Sequence, residues 1–109
     1  MGGKVTERFD NVSVLCKANI YFEGKVISHT LLCKDGTKKT VGLICPGSFT
    51  FNTDAPERME IIAGNCRVRQ AGEDHWTPYA AGTFFLVSGK SSFEIAVEEG
   101  ITEYVCSFE

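Results

Sequence analysis

Few residues of this chain carry reactive chemistry, and the densest group is a short turn. Gly89-Lys90-Ser91-Ser92 gathers flexible backbone N–H groups, an ammonium and two hydroxyls, the ingredients of a site for a phosphate-like anion. Thr50 and Thr53 offer further hydroxyl donors from a neighbouring segment. The same turn also reads as an exposed reversal with a solvated lysine, and the sequence leaves both readings open. Eight phenylalanines supply flat apolar surface for a ring-shaped ligand, although aromatic side chains in a small β domain more often fill the core. Cys16, Cys33, Cys45, Cys66 and Cys106 are odd in number and contain no C-x-x-C pair, so they read as reduced thiols acting as small hydrophobes. His29 and His75, far apart in the chain, suit solvent-exposed or packing roles better than ligation.

These side chains need strands to position them. From about Asn19 onward, short β-branched and aromatic runs alternate with Gly, Asp, Asn and Pro, and no amphipathic helical period of useful length occurs. The pattern predicts strands at Lys25 to Lys34, Lys39 to Cys45, Ser48 to Thr53, Met59 to Arg69, Thr83 to Val87, Phe93 to Val97 and Glu103 to Phe108. Asp35-Gly36 carries a tight-hairpin signal, and Cys45-Pro46-Gly47 and Ala80-Ala81-Gly82 supply other reversals. Period-two alternation in Phe49-Thr50-Phe51-Asn52-Thr53 and in Phe93 to Glu98 puts one set of side chains inside and the other outside. The expected fold class is all-β, a jelly roll or closed barrel. Residues 1–18 are expected to form an N-terminal arm or an extra edge strand over Val12 to Cys16, and residues 19–109 the domain itself.

At 109 residues and 12.0 kDa the chain has room for one core. A net charge of −3 and a pI near 5.4 leave no surplus positive potential for nucleic acid or an anionic membrane. The opening residues lack the apolar run of a signal peptide and no later stretch approaches a membrane span, so the expected location is cytoplasmic.

Two segments resemble the cupins, whose first motif carries a His-x-His pair, a Glu, six intervening residues and a Gly. Glu57-Arg58-Met59-Glu60-Ile61-Ile62-Ala63-Gly64 matches the Glu-x6-Gly part and sets Phe51 and Thr53 at the histidine positions. Gly82-Thr83-Phe84-Phe85-Leu86-Val87-Ser88 resembles the start of the second motif, with Phe93 at the spacing of a third histidine. The resemblance implies a single-domain, cupin-type jelly-roll β-barrel, a double-stranded β-helix. With all three imidazoles replaced, no metal and no other cofactor are expected, because Phe and Thr do not substitute for convergent N, O or S donors.

From Ala18 to Phe108 the chain is also similar to the small bacterial cupins known as pyrimidine/purine nucleoside phosphorylases. The matching residues include Tyr21-Phe22-x-Gly24-Lys25-Val26, Gly47-x-x-Thr50-Phe51-x-Thr53-x-x-Pro56-Glu57-x-Met59, Gly64, Trp76, Tyr79, Ala81-Gly82, Phe85-x-Val87-x-Gly89-x-Ser91-x-Phe93 and Tyr104-x-Cys106. The resemblance implies a homodimeric glycosyltransferase (a pentosyltransferase) that cleaves purine and pyrimidine ribonucleosides with phosphate to free base and ribose 1-phosphate. Nucleoside and phosphate are then its partners. Such a reaction asks for positioning and electrostatics rather than a covalent nucleophile. On this reading Glu57 is the catalytic carboxylate, turned toward the pocket by cupin geometry to hold ribose and offset the positive charge developing on it. Lys90, Ser91, Thr50 and Thr53 bind phosphate. Phe51, Phe85, Phe93 and Tyr79, with Tyr104 as a further candidate, form the base and ribose surface. A non-catalytic ligand-binding cupin and a structural dimer module are the competing readings.

Overall fold

In the computed structural model, which describes residues 5–109, eleven strands form two antiparallel sheets. They are β1 (Ser13–Val14), β2 (Asn19–Tyr21), β3 (Val26–Leu32), β4 (Lys38–Ile44), β5 (Gly47–Asn52), β6 (Glu57–Ala63), β7 (Asn65–Gln70), β8 (Thr77–Ala80), β9 (Phe84–Val87), β10 (Ser92–Val97) and β11 (Thr102–Phe108). The larger sheet runs β1-β3-β4-β11-β6-β9 with β2 also on β3, and the smaller runs β5-β10-β7-β8. The all-β, cupin-type jelly roll is therefore present, with one difference from a closed barrel: the two ladders share no strand and face one another as a sandwich.

The core lies between the inner faces. Val26, Ile44, Met59 and Ile61 from the large sheet meet Phe49, Val68, Phe93 and Ile95 from the small one, and Ile61 and Ile95 are fully buried. Directly opposed residues of antiparallel strands point to the same face. The pairs Tyr104↔Ile61, Cys106↔Met59 and Phe108↔Glu57 thus put all six side chains on the inner face of β11 and β6. The register skips Ile62, a bulge next to Glu103 and Tyr104.

The structure differs from the sequence reading in four places. Asn19–Tyr21 forms a short strand, β2, where none is expected. The run Met59 to Arg69 is two strands, β6 and β7, because Gly64 takes φ +85° and reverses the chain. Thr77–Ala80 is a strand despite Pro78, which an edge strand tolerates because one row of its N–H groups has no ladder partner. The edge strand of the arm shrinks from Val12–Cys16 to Ser13–Val14, paired with Leu32 and Leu31. Ahead of it, the Thr6 amide donates to Glu60 Oε1 at 2.6 Å, tying the arm to the outer face of the large sheet; residues 1–4 of the proposed arm lie outside the described residues.

Gly64 is required both by its positive φ and by its crowded surroundings. A Cβ there would sit 2.6 Å from the Ile101 carbonyl oxygen and 2.9 Å from Thr102 Cα, both backbone atoms. Gly64→Ala is expected to cost about 2 kcal/mol or more, a fall in Tm on the order of 10 °C for a domain of this size. Gly36 shares the positive φ but would place a Cβ in open space, so Gly36→Ala should cost only about 1 kcal/mol. Thermal unfolding of the two variants side by side checks the difference.

Candidate active site

A cavity of about 570 Å³ opens between the sheets, within the size range that takes a small-molecule ligand. Its walls follow from strand alternation. The large sheet contributes Ser28 from β3, Lys38, Thr40 and Ile44 from β4, Tyr104, Cys106 and Phe108 from β11, and Glu57 and Met59 from β6. Phe51 from β5 and Phe93 from β10 face them from the small sheet, with Tyr21 closing one side. Asn52 and Asp54, both exposed, complete the rim with exposed Lys38. One wall is thus aromatic and the other a polar stripe.

The aromatic wall is continuous. Phe51 and Phe93 are directly paired across β5 and β10, and their rings stack at 5.6 Å with 24° between planes. Phe22 and Tyr21 meet Phe51 edge-on at 5.4 and 6.1 Å, and Phe85 meets Phe93 edge-on at 5.6 Å from the core side.

Glu57 stands half-buried on the polar wall. Burial raises its carboxyl above the ordinary 4.5, and a hydrogen bond from Cys106 opposes that rise in part. The Cys106 thiol donates to Glu57 Oε1 at 3.5 Å and is itself bonded by the Thr40 hydroxyl. Burial and the neighbouring carboxylate push the thiol far above its usual range, so Cys106 is a fixed donor and not a nucleophile. Further along the same strand, burial pushes the Tyr104 phenol up to about 12.

Of the residues picked out from sequence, Glu57, Phe51, Phe93 and Tyr104 come together at this cavity. Phe85 is buried behind Phe93, and Tyr79 packs on Phe85 at 4.8 Å, so both support the aromatic wall without lining the cavity. The proposed phosphate group is not brought there. Thr53 is buried, and its hydroxyl donates to the Ser88 carbonyl at 2.6 Å and accepts from the Ser91 amide at 3.0 Å, a clasp that consumes it inside the turn. Thr50 is exposed opposite Glu94, on the face away from Phe49 and Phe51. Exposed Lys90 and half-buried Ser91 do not line the cavity; the Lys90 amide bonds the Asp54 carbonyl at 3.1 Å. The positive charge on the rim is that of Lys38, which sequence reasoning passed over along with Ser28, Thr40 and Cys106. The signal for them was period-two spacing: Lys38-x-Thr40-x-Gly42 and Tyr104-x-Cys106-x-Phe108 each present one face. His29 bonds the Leu15 carbonyl oxygen through Nδ1 at 3.2 Å and His75 is exposed beside Asp74. Among the described residues no three His, Cys, Asp or Glu side chains are grouped to hold a metal ion.

The facing sheets and the Glu57-to-Gly64 strand and turn define a cupin-type protein. The same fold occurs in EutQ from Clostridium difficile, 11% identical with a TM-score of 0.64 over 76% of this chain and 67% of that one, and in ectoine synthase from P. lautus, 20% identical with a TM-score of 0.65 over 78% and 64%. Within that class the chain belongs to the pyrimidine/purine nucleoside phosphorylase family, whose model matches residues 16–108. Relatives bearing that name include one from Cupriavidus taiwanensis, 60% identical over 94% of this chain and 96% of its own length, and one from Aromatoleum aromaticum, 55% identical over 95% and 97%. A solved structure of a protein of unknown function from Acinetobacter sp. ADP1 is 48% identical with a TM-score of 0.91, covering 94% of this chain and 98% of that one.

Because burial raises the Glu57 carboxyl, the folded state holds its proton to higher pH than the unfolded chain does. Below about pH 4.5 both states are protonated and the group is neutral in the balance. As pH rises through the folded-state value the buried carboxylate becomes a cost, and stability falls. Glu57→Gln removes that cost while keeping an acceptor for Cys106. Its Tm is expected to exceed that of the parent chain at pH 7, with the gap closing as pH falls toward 4; melting curves across this range check it.

Proposed function

We propose that this chain is a metal-independent phosphorylase that splits purine and pyrimidine ribonucleosides with inorganic phosphate into free base and ribose 1-phosphate. The observation that carries the reading is the placement of half-buried Glu57 at one cavity wall, facing stacked Phe51 and Phe93, with Lys38 on the rim. Family membership points to the same reaction class.

Each element of the cavity answers one demand of the reaction. The base lies against Phe51 and Phe93, a stacking surface that accepts any planar ring and discriminates weakly, in keeping with a broad range of bases. The ribose sits over Glu57, whose carboxylate accepts from the sugar hydroxyls. As the bond from C1′ to the base nitrogen lengthens, positive charge grows on the sugar, and a poorly solvated carboxylate beside it acts with little screening. Cys106 and, behind it, Thr40 keep that carboxylate pointed inward. Phosphate enters at the rim, where Lys38 supplies charge and the Asn52 side-chain amide a donor. Asp54 on the same rim opposes an anion, which makes Lys38 the group whose loss matters most.

The five cysteines are free thiols, which favours a reducing compartment and supports a cytoplasmic setting for the enzyme. No helix among the described residues is long and apolar enough to cross a membrane. A homodimer is proposed on the apolar side chains left exposed on and beside the large sheet, Val14, Leu15, Ile20 and Leu32.

Pure protein incubated with uridine or inosine should release free base only when phosphate is present, and chelator should not slow it; no phosphate-dependent release leaves the non-catalytic ligand-binding reading in its place. Glu57→Gln is expected to lower kcat about 100-fold or more, and in the parent chain kcat/KM should fall on the acid side with a midpoint above 4.5, the direction in which burial moves this carboxyl. Lys38→Ala should raise the KM for phosphate about tenfold with little change in the KM for nucleoside. Steady-state kinetics with each substrate varied in turn separates the two effects.

A further inference from the structure

We infer that the Tyr104 hydroxyl is the hydrogen-bond donor to the departing base, oriented by a relay that runs from Asn19 through Ser28. The inference rests on the phosphorolysis reading and deepens it by naming the group that meets the leaving end of the substrate.

The relay is built into the sheet register. Asn19 is paired with Ser28, Ser28 with Gly42 and Gly42 with Tyr104, so the four form one row across β2, β3, β4 and β11. Gly42 is the gap in that row. A Cβ there would stand 2.9 Å from the Tyr104 hydroxyl and 2.8 Å from Ser28 Cβ, so its absence lets the phenol lie across β4 and reach Ser28. One strand, β4, separates Tyr104 from Ser28, two strand spacings or about 10 Å between backbones, and the long tyrosine side chain spans that only over a residue without one.

The hydrogen bonds along the row set which way the donors point. The Asn19 amide nitrogen donates to Ser28 Oγ at 3.2 Å and to Thr30 Oγ1 at 3.0 Å. Ser28 Oγ accepts from Asn19 and still has its own proton to give; its hydrogen bond with the Tyr104 phenol acts to lower the phenol's pKa, the sense of Ser28 donating to the phenolic oxygen. Tyr104 accepts from Ser28, and its own proton has no protein acceptor among the described residues. The side chain is 7% exposed and lines the cavity. The Glu57 carboxylate and the Cys106 thiol both act on it electrostatically, which places the phenol at the same reaction centre.

A phenol held near 12 keeps its proton, so Tyr104 stabilises charge and does not transfer the proton outright. In the step itself the bond from C1′ to the base nitrogen breaks with its electron pair passing to the base, and a hydrogen phosphate oxygen forms the new bond to C1′. The phosphate's proton, left over in ribose 1-phosphate, neutralises the base through solvent. Tyr104 donates to the base while it carries that pair. Carbonyl oxygens of pyrimidines and ring nitrogens of purines both accept from an O–H, so one donor serves both ring types.

The test compares leaving groups of different basicity. With uridine and inosine, Tyr104→Phe is expected to lower kcat about 100-fold, whereas with a uridine bearing an electron-withdrawing group at C5 the loss should shrink to a few-fold, because that base leaves without help. Ser28→Ala should show a smaller loss with the same dependence on the leaving group, and it supplies the readout where Tyr104→Phe does not fold. Unchanged kcat, or an equal loss for every leaving group, overturns the assignment of Tyr104 while leaving phosphorolysis standing. Failure of the parent chain to release any base with phosphate overturns the phosphorolysis reading and this inference together.

Discussion

The site depends on one constraint, the antiparallel pairing of β11 with β4 on one side and β6 on the other. Directly opposed residues share a face, so a single register decides that Thr40, Cys106 and Met59 form one inward row and Gly42, Tyr104 and Ile61 another. A slip of one residue would turn Glu60 and Val105 inward and send Glu57, Cys106 and Tyr104 to the outer face. The bulge at Ile62 lies just past the Tyr104 pair, so the register is undisturbed over the stretch that carries the site and changes only beyond it.

Polar and apolar demands are divided between the sheets. The small sheet offers rings: Phe51 and Phe93 stacked, backed by Phe85 and then Tyr79. The large sheet offers donors and acceptors, each held by a second polar group: Glu57 by Cys106, Cys106 by Thr40, Tyr104 by Ser28, Ser28 by Asn19. A ligand with a flat face on one side and hydroxyls on the other matches this division, which is the general form of a nucleoside. By the motif resemblance, Phe51 and Phe93 stand at the spacing of imidazoles in a metal-binding cupin, and in this structure the two rings form the stacking surface.

Much of the architecture was legible in the sequence because its signals are local. Alternation in Phe49 to Thr53 and Phe93 to Glu98 marks strands wherever the chain puts them, whereas the reversal at Gly64, hidden inside a continuous apolar run read as one strand from Met59 to Arg69, depends on a positive φ that spacing does not show. The hidden parts depended on what each group meets in space. Thr53 looks like a free donor in sequence, yet its hydroxyl donates to the Ser88 carbonyl and accepts from the Ser91 amide. Lys90 has the composition of an anion site, but its side chain is exposed and does not line the cavity. Lys38 sits in a run of charges that reads as solvated and reaches the rim only because β4 pairs with β11. Cys106 looked like a small hydrophobe, and burial does hold its thiol protonated; its contact with Glu57 comes from a partner 49 residues away.

The buried carboxylate brings stability and function into opposition at one residue. Half-removed from water, Glu57 is less stable as an anion than it would be on the surface, and the fold carries that cost at neutral pH. In the proposed reaction the same desolvation would strengthen its field at the sugar, where charge is to develop. A single thiol donor offsets part of the cost, where a cation beside the carboxylate would offset more and also cancel the field. Lys38 instead occupies the exposed rim, where its charge can serve an incoming anion, and the interior keeps an under-compensated negative charge facing the aromatic wall. That separation of the cation from the carboxylate is what a site must maintain to attract phosphate at its entrance and stabilise a positive sugar further in.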